Sequence, residues 1–374
     1  MTSNTKKRKK EKIHKDGKIA IIGSGPGALS TALALQQDGF QHVVVYERDE
    51  HFHSRKDGYG LTLTYNPSKT SPLTQLGLLE KLARLDCPSR AHYVFDSEGN
   101  VLGYFGNRFS KSSRGYGQRG NLRVPRQVLR QVMMNTLKER DVHNNRIRIE
   151  WNKKLIGFST SENAPFQTTL KFEDGTSATA DLLVGADGVH STVMKQILSE
   201  NEQCTAYLGV MIVLGITQDF YHPLLDERGF YTLDGNHRLF TMPYEGSRMT
   251  DLMENGIALN DQSTNINRTR RYMWQLSYNL PYEEAVKISK EGAQSLLREV
   301  LRRTKHWHDP VQTMIQSTPL DTIWGTPLMD RSPSEILVKM NEVYKSSKQK
   351  KHMRAIALGD AMHAMSPFKG WSQE

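Results

Sequence analysis

Apolar and polar positions alternate between two regimes along the chain. Lys18–Gly23 (KIAIIG) is a short apolar run rich in β-branched residues and closed by glycine, the pattern of a buried strand. Good helix formers follow from Ala28 to Gly39 (ALSTALALQQDG), ending on a glycine suited to a helix C-terminus. His42–Glu47 (HVVVYE) is apolar without alternation, as expected of a parallel strand covered on both faces. Strand, tight turn, helix and strand thus succeed one another over about thirty residues. Further on, His92–Phe105 predicts two strands about a turn at Ser97–Asn100, and a second hairpin turns at Asp174 and Gly175. Pro125–Arg140 predicts a helix with proline in its first turn. Tyr207–Tyr278 is strand-like and interrupted, Glu283–Thr304 is helical, and polar Met249–Arg271 reads as a surface loop.

Composition narrows the class. With 374 residues and 37% hydrophobic content the chain suits about two domains. It has no apolar run of about 18 residues, and its first residues lack the apolar centre of a signal peptide, so no transmembrane segment is expected. The location expected is intracellular, in the cytoplasm, or in the nucleus if the tail is read as an import signal. Cys87 and Cys204 lack the spacing of a disulfide framework, a redox pair or a metal site, and no metal is expected. Much of the +10 net charge sits in residues 1–16, where Lys6, Lys7, Arg8, Lys9, Lys10, Lys12 and Lys15 face Glu11 and Asp16. That run reads as a disordered, solvated tail; a nuclear signal and an anionic-surface contact are the alternatives. No interleaving of aromatic and basic residues marks a nucleic-acid groove, and no nucleic-acid partner is expected.

In GSGPGA, Gly23, Gly25 and Ala28 occupy the small positions of GxGxxG/A, and Gly27 lies in the same turn. The first allows a tight turn, the second lets backbone approach a pyrophosphate, and the third permits close helix–strand packing. The helix N-terminus then offers N–H groups to the phosphates. Glu47, at the end of the next strand, is placed to accept hydrogen bonds from the ribose hydroxyls of an adenosine. These residues suit FAD and NAD alike, and a plain glycine-rich loop with a surface glutamate remains the alternative.

Two later segments bear on that choice. DLLVGADGVHSTV (Asp181–Val193) and ALGDAMHAMSPFKG (Ala357–Gly370), taken in order after the glycine-rich turn, resemble the three motifs of class A flavoprotein monooxygenases. The resemblance implies FAD as cofactor and NADPH or NADH as transient reductant. It places Asp187 and Gly188 in the family's Asp-Gly motif, Asp360 on a ribityl hydroxyl, and Pro367 and Gly370 in the turn that follows. RGNLRVPRQVLRQVM resembles the family's arginine-led helix and makes Arg126 a contact to the FAD phosphates, with Arg123 and Arg130 as ordinary solvated neighbours. Arg55 sits near a family arginine, though a loop arginine is the simpler reading. Met194 stands where relatives carry arginine, with Lys195 an imperfect substitute. His190 and His363 read as structural, and no catalytic side chain is identified.

The fold implied is α/β and para-hydroxybenzoate-hydroxylase-like: a Rossmann-like FAD-binding domain with a mixed, strand-rich substrate domain. The division expected is a basic tail at 1–16, the FAD-binding domain at 17–90 and 106–200, the substrate domain at 91–105 and 201–350, and a return to the FAD-binding domain at 351–374. Phe240, Met242 and Trp274 are candidates for a pocket within what is mostly core. The activity implied is insertion of one oxygen atom from O2 into an organic small-molecule substrate, which family relatives suggest is aromatic, through a flavin hydroperoxide. A flavin-dependent reductase without oxygen insertion and a non-catalytic flavin-fold protein are the alternatives; oligomeric state is not indicated. The family's third motif continues into a helix whose N-terminus faces the flavin, whereas this sequence has Ser372 for a usual glycine and ends at Glu374. A truncated chain, binding FAD loosely or reducing it poorly, is therefore the expectation.

Overall fold

The computed structural model describes residues 13–365 except 55–57, 88, 90, 107–120, 142–145, 162–163, 199–204, 227, 245–270 and 347–353. The first twelve residues of the tail, Arg55, Cys204, most of the polar stretch 249–271, Pro367 and Gly370 lie outside the described residues. Contacts divide the chain into two compact units. One comprises Met1–His51, Leu137–Gln203 and Ser332–His363; the other comprises Phe52–Thr136, Cys204–Arg331 and Ala364–Glu374.

In the first unit the predicted strand, helix and strand form at Lys18–Ile22, Pro26–Gln37 and His42–Tyr46. Pro26 stands in the first helical turn, where its missing N–H has no helical partner to lose. At the other end Gly39 takes φ +83°, the left-handed step that ends helices at low cost when no Cβ is present. Five parallel strands are ordered Ala355–Ala357, Leu182–Gly185, Lys18–Ile22, His42–Tyr46, Ile147–Glu150. Ile19, Ala20, Ile21 and Ile22 are all buried, which explains why this strand is apolar without alternation. A three-stranded antiparallel sheet, Leu155–Ser161, Ala164–Phe172 and Ser177–Ala180, contains the predicted turn, with Gly175 at φ +81°. Helix Pro333–Ser346 packs on helix Thr192–Leu198 in the same unit.

The second unit is built on a seven-stranded sheet ordered Trp324–Asp330, Ala206–Ile216, Tyr272–Asn279, His237–Pro243, Arg228–Leu233, Ala91–Asp96, Val101–Gly106. Its pairs are antiparallel except Arg228–Leu233 with Ala91–Asp96, which run parallel. One face carries Tyr93, Phe95, Met211, Phe230 and Trp274 against Leu296, Val300 and Met314 of the helices Ala293–Arg303 and Val311–Gln316. Trp274 is fully buried, and its indole N–H donates to Thr318 Oγ1 at 2.9 Å. Met242 is buried with Met273 in a second cluster on the other face. Of the three pocket candidates, only Phe240 is half-buried.

Three sequence expectations are adjusted. The helical stretch Glu283–Thr304 is two helices, Tyr282–Lys290 and Ala293–Arg303, because Gly292 at φ +89° leaves the helical region between them. Pro125 is the last residue of strand Asn121–Pro125 and the helix starts at Arg126; proline holds its predecessor extended and so closes a strand. Residues 52–90 and 121–136 fall with the large sheet rather than with the parallel one. There Gly60–Thr64 pairs with Asn121–Pro125, and the Gly60 N–H reaches Met273 Sδ at 3.2 Å. Among the described residues no helix is long and apolar enough to cross a membrane.

Candidate cofactor site

Because the five strands of the first unit run parallel, Ile22, Tyr46, Gly185 and Ala357 end on one edge of the sheet. Open parallel sheets hold ligands at that edge, where the strand order reverses. Here the reversal lies between Lys18–Ile22, whose crossover leads to His42–Tyr46 on one side, and Leu182–Gly185 on the other. Gly23 sits at this point with φ +97°. A Cβ there would lie 2.5 Å from the Ala186 carbonyl oxygen. The Ala186 N–H donates to the Ile22 carbonyl at 2.9 Å, and the Gly23 N–H to that of Tyr46 at 2.8 Å. The first glycine is therefore demanded both by its own backbone and by the close approach of the Asp-Gly segment.

Gly25 is the N-cap of the first helix, with extended backbone and no side-chain cap, and Pro26 follows. The first helical bond is Leu29 N–H to Gly25 carbonyl at 3.0 Å, which places the N–H groups of Gly27 and Ala28 in the uncapped first turn. Gly27 is exposed, and a Cβ on it would come 3.1 Å from Leu358 Cδ1; Ala28 is fully buried. An uncapped N-terminus of a twelve-residue helix, approached through glycines, fits a diphosphate, as FAD carries.

Glu47 is buried at 4% exposure. Its Oε2 accepts the Ser24 backbone N–H and the Ser24 hydroxyl, each at 2.6 Å, and Oε1 accepts the Asp49 N–H at 3.1 Å. The carboxylate is thus tied to the glycine-rich turn, a link that the spacing in the sequence did not reveal.

In the second motif the Asp187 side chain bonds to its own loop. Asp187 Oδ1 accepts the Ser191 hydroxyl at 2.5 Å, and Oδ2 accepts the N–H groups of Thr192 at 2.7 Å and Val193 at 3.2 Å. Asp187 thereby closes the first turn of helix Thr192–Leu198, with Gly188 at φ +81° making the bend. Met194 is buried in that helix and Lys195 is exposed on it. The third motif joins the second through the Leu358 N–H, which donates to the Gly185 carbonyl at 2.9 Å. Gly359 then turns at φ +56° and exposed Asp360 opens the short helix Asp360–His363. His190 is exposed and His363 half-buried.

Arg126 belongs to the second unit and is half-buried at the start of helix Arg126–Arg140, its N–H donating to the Tyr59 carbonyl at 3.1 Å. Its neighbours are not the solvated residues that the sequence suggested. Arg130 is buried at 2% exposure, donates to Gln127 Oε1 at 2.5 Å and lies 5.1 Å over the Phe52 ring, because it stands on the inward side of the helix. Arg123 donates to the Ser89 carbonyl at 2.9 Å.

A second chemical feature lies on the large sheet. Phe230, Leu239, Tyr93 and Phe95 point into the helix-covered core, so the alternate residues Tyr231, Arg238, Phe240 and His92 face the other way. Phe240 stands 4.9 Å from Tyr231 and is stacked with His92 at 5.9 Å. The Arg238 guanidinium lies 4.8 Å over Tyr231 and 5.9 Å over Phe240. Burial, helped by the charge of Arg123, pushes the His92 imidazole down to about 3. Among the described residues no three His, Cys, Asp or Glu gather as metal ligands.

Residues 16–371 match the family model described as FAD binding domain. Over 376 residues the chain is 26% identical to monooxygenase cfoF of Aspergillus candidus, covering 94% of this chain and 78% of that protein. It is 26% identical to 6-methylsalicylate 1-monooxygenase atA of Aspergillus terreus, covering 94% and 70%. The solved structure of Klebsiella pneumoniae HpxO complexed with FAD and uric acid shares the fold at a TM-score of 0.66 and 20% identity, covering 95% of this chain and 76% of that one.

Proposed function

Because this chain belongs to the FAD binding domain family, whose model spans its residues 16–371, we propose that it is an FAD-dependent monooxygenase that takes NADPH or NADH as reductant and hydroxylates a small aromatic molecule. The observation that carries this reading is the meeting of three sequence-distant segments, Gly23–Ala28, Gly185–Asp187 and Leu358–Asp360, on one edge of the parallel sheet. FAD, when bound, supplies electron transfer from the nicotinamide and activation of O2. The chain supplies binding and orientation. N–H groups of Gly27 and Ala28 meet the diphosphate at the positive end of the helix, and Glu47 accepts from the adenosine ribose. Asp360 takes a ribityl hydroxyl. Asp187 holds the Asp-Gly loop in shape through the bonds to Ser191, Thr192 and Val193.

The Tyr231, Phe240 and Arg238 cluster supports an aromatic substrate carrying an acidic group. Flat rings stack on flat rings, and a guanidinium pairs with a carboxylate or phenolate. One relative is named for 6-methylsalicylate and one structural neighbour holds uric acid, both consistent with that chemistry. His92, titrating near 3, stays neutral at physiological pH and is able to hydrogen-bond without carrying charge.

Incubation of the FAD-loaded protein with NADPH, isotopically labelled O2 and a set of aromatic acids tests the reading. One labelled oxygen atom in a hydroxylated product is the expected result. NADPH consumption with a reduced but unlabelled product indicates a flavin-dependent reductase, and no substrate-stimulated NADPH oxidation across the set contradicts the enzymatic reading.

A further inference from the structure

Glu47 is held from the protein side before any cofactor is considered. Both of its bonds to Ser24 converge on one oxygen at 2.6 Å, and the Asp49 N–H holds the other oxygen. Ser24 is fully buried and Glu47 nearly so. An ionised carboxylate at that depth is costly unless donors surround it. Here the donors come from the two backbone stretches it joins, the glycine-rich turn and the loop after the second strand. The parallel pairing of Lys18–Ile22 with His42–Tyr46 is thereby extended past its last residue pair. Gly23 N–H donates to the Tyr46 carbonyl, and Ser24 continues the ladder through the Glu47 side chain.

We propose that Ser24 is a positioning residue for the cofactor: its hydroxyl locks the Glu47 carboxylate in the orientation that receives the ribose hydroxyls of the adenosine half. This rests on the reading of Glu47 as the ribose acceptor. Ser24→Ala keeps the backbone N–H donor and removes only the hydroxyl, so the turn keeps its path while Oε2 of the carboxylate loses that donor. The remaining freedom of the Glu47 side chain is then lost only on binding, and affinity falls by the entropy of fixing it. Fixing one such long side chain on binding sets the scale, so the expected loss is up to about ten-fold in the dissociation constant.

The test measures FAD binding by fluorescence, with ADP and 2′,3′-dideoxy-ADP as competitors that differ only in the two ribose hydroxyls. The native chain is expected to prefer ADP clearly. Ser24→Ala is expected to weaken FAD and ADP by up to about ten-fold, to leave dideoxy-ADP unchanged, and to unfold without cofactor at a lower temperature, because a buried bond to the carboxylate is lost. In a Glu47→Gln background, Ser24→Ala is expected to change little further. If the native chain does not distinguish the two competitors, the assignment of Glu47 to the ribose fails, and this proposal with it. If the native chain distinguishes them and Ser24→Ala does so equally well, Glu47 stands and the role of Ser24 is overturned. An equal loss for both competitors assigns Ser24 to the fold instead and also overturns the proposal. Ser24→Cys, with a weaker donor of similar shape, is expected to fall between native and alanine.

Discussion

At the scale of single residues, Gly23 and Gly27 share a motif but bear different loads. Gly23 has a left-handed φ and a carbonyl oxygen 2.5 Å from where a Cβ would stand, and neither the Ala186 backbone nor its own can move aside freely. Gly23→Ala is expected to cost at least roughly 1–3 kcal/mol from backbone strain alone, measured by urea unfolding of the cofactor-free chain. Gly27 meets only the flexible end of Leu358, and Gly27→Ala is expected to stay within about 0.5 kcal/mol of native stability. The glycine spacing was legible in the sequence because it fits a short window. The reason for the first glycine was not, since the oxygen it avoids comes from Ala186, just past a strand far along the chain. Burial of Arg130 was hidden in the same way: an arginine on an apolar helix face looks solvated until the facing element, with Phe52, is known.

His92 offers a residue-level test in pH. Its folded value of about 3 lies below the roughly 6.5 of a free imidazole, so on acidification the unfolded chain binds this proton first. The contribution to stability is therefore full above about pH 6.5 and is lost as pH falls from there towards 3, at no more than roughly 1.4 kcal/mol per pH unit. His92→Leu is expected to flatten the decline in urea midpoint between pH 7 and pH 4. An unchanged slope would show that other groups control acid stability in this range.

At the scale of elements, Asp187 acts as a cap and Gly215 as a spacer. Asp187→Ala removes the acceptors for the first turn of Thr192–Leu198 and is expected to cost about 1–2 kcal/mol in chemical unfolding. Gly215→Ala would bring a Cβ to 2.4 Å from the Trp274 ring; overpacking of this kind costs about 1–3 kcal/mol and is expected to lower the melting temperature. The first strand–helix–strand unit and the turns at Ser97–Asn100 and Asp174–Gly175 were readable because turn residues close each one locally. The parallel pairing of Arg228–Leu233 with Ala91–Asp96 was not, since no local pattern records a partner so distant. The break at Gly292 was missed because apolar spacing continues across it into the next helix.

At the scale of the molecule, the order of three motifs carried more than any one of them. The glycine-rich turn alone left FAD and NAD open, while the second and third motifs pointed to the flavin family that the match over residues 16–371 establishes. The fold then explains why motifs so far apart belong together: parallel strands deliver Gly23, Ala186 and Leu358 to one sheet edge, as alternating strands and helices require. The chemistry of the large sheet was less legible. Alternation marked its strands, but the grouping of Tyr231, Arg238, Phe240 and His92 depends on registers between separate strands.

The central claim is that the uncapped first turn after Gly25 receives the FAD diphosphate. Its most direct test is calorimetric titration of FAD into the native chain and into Gly27→Asp. An acidic residue in the first turn of a helix favours the helix, so the fold should be retained while the added charge repels phosphate. The account predicts saturable binding of one FAD per native chain and loss of that binding in Gly27→Asp at unchanged cofactor-free stability. FAD binding equally well to both proteins, or not binding to the native chain at all, would contradict it.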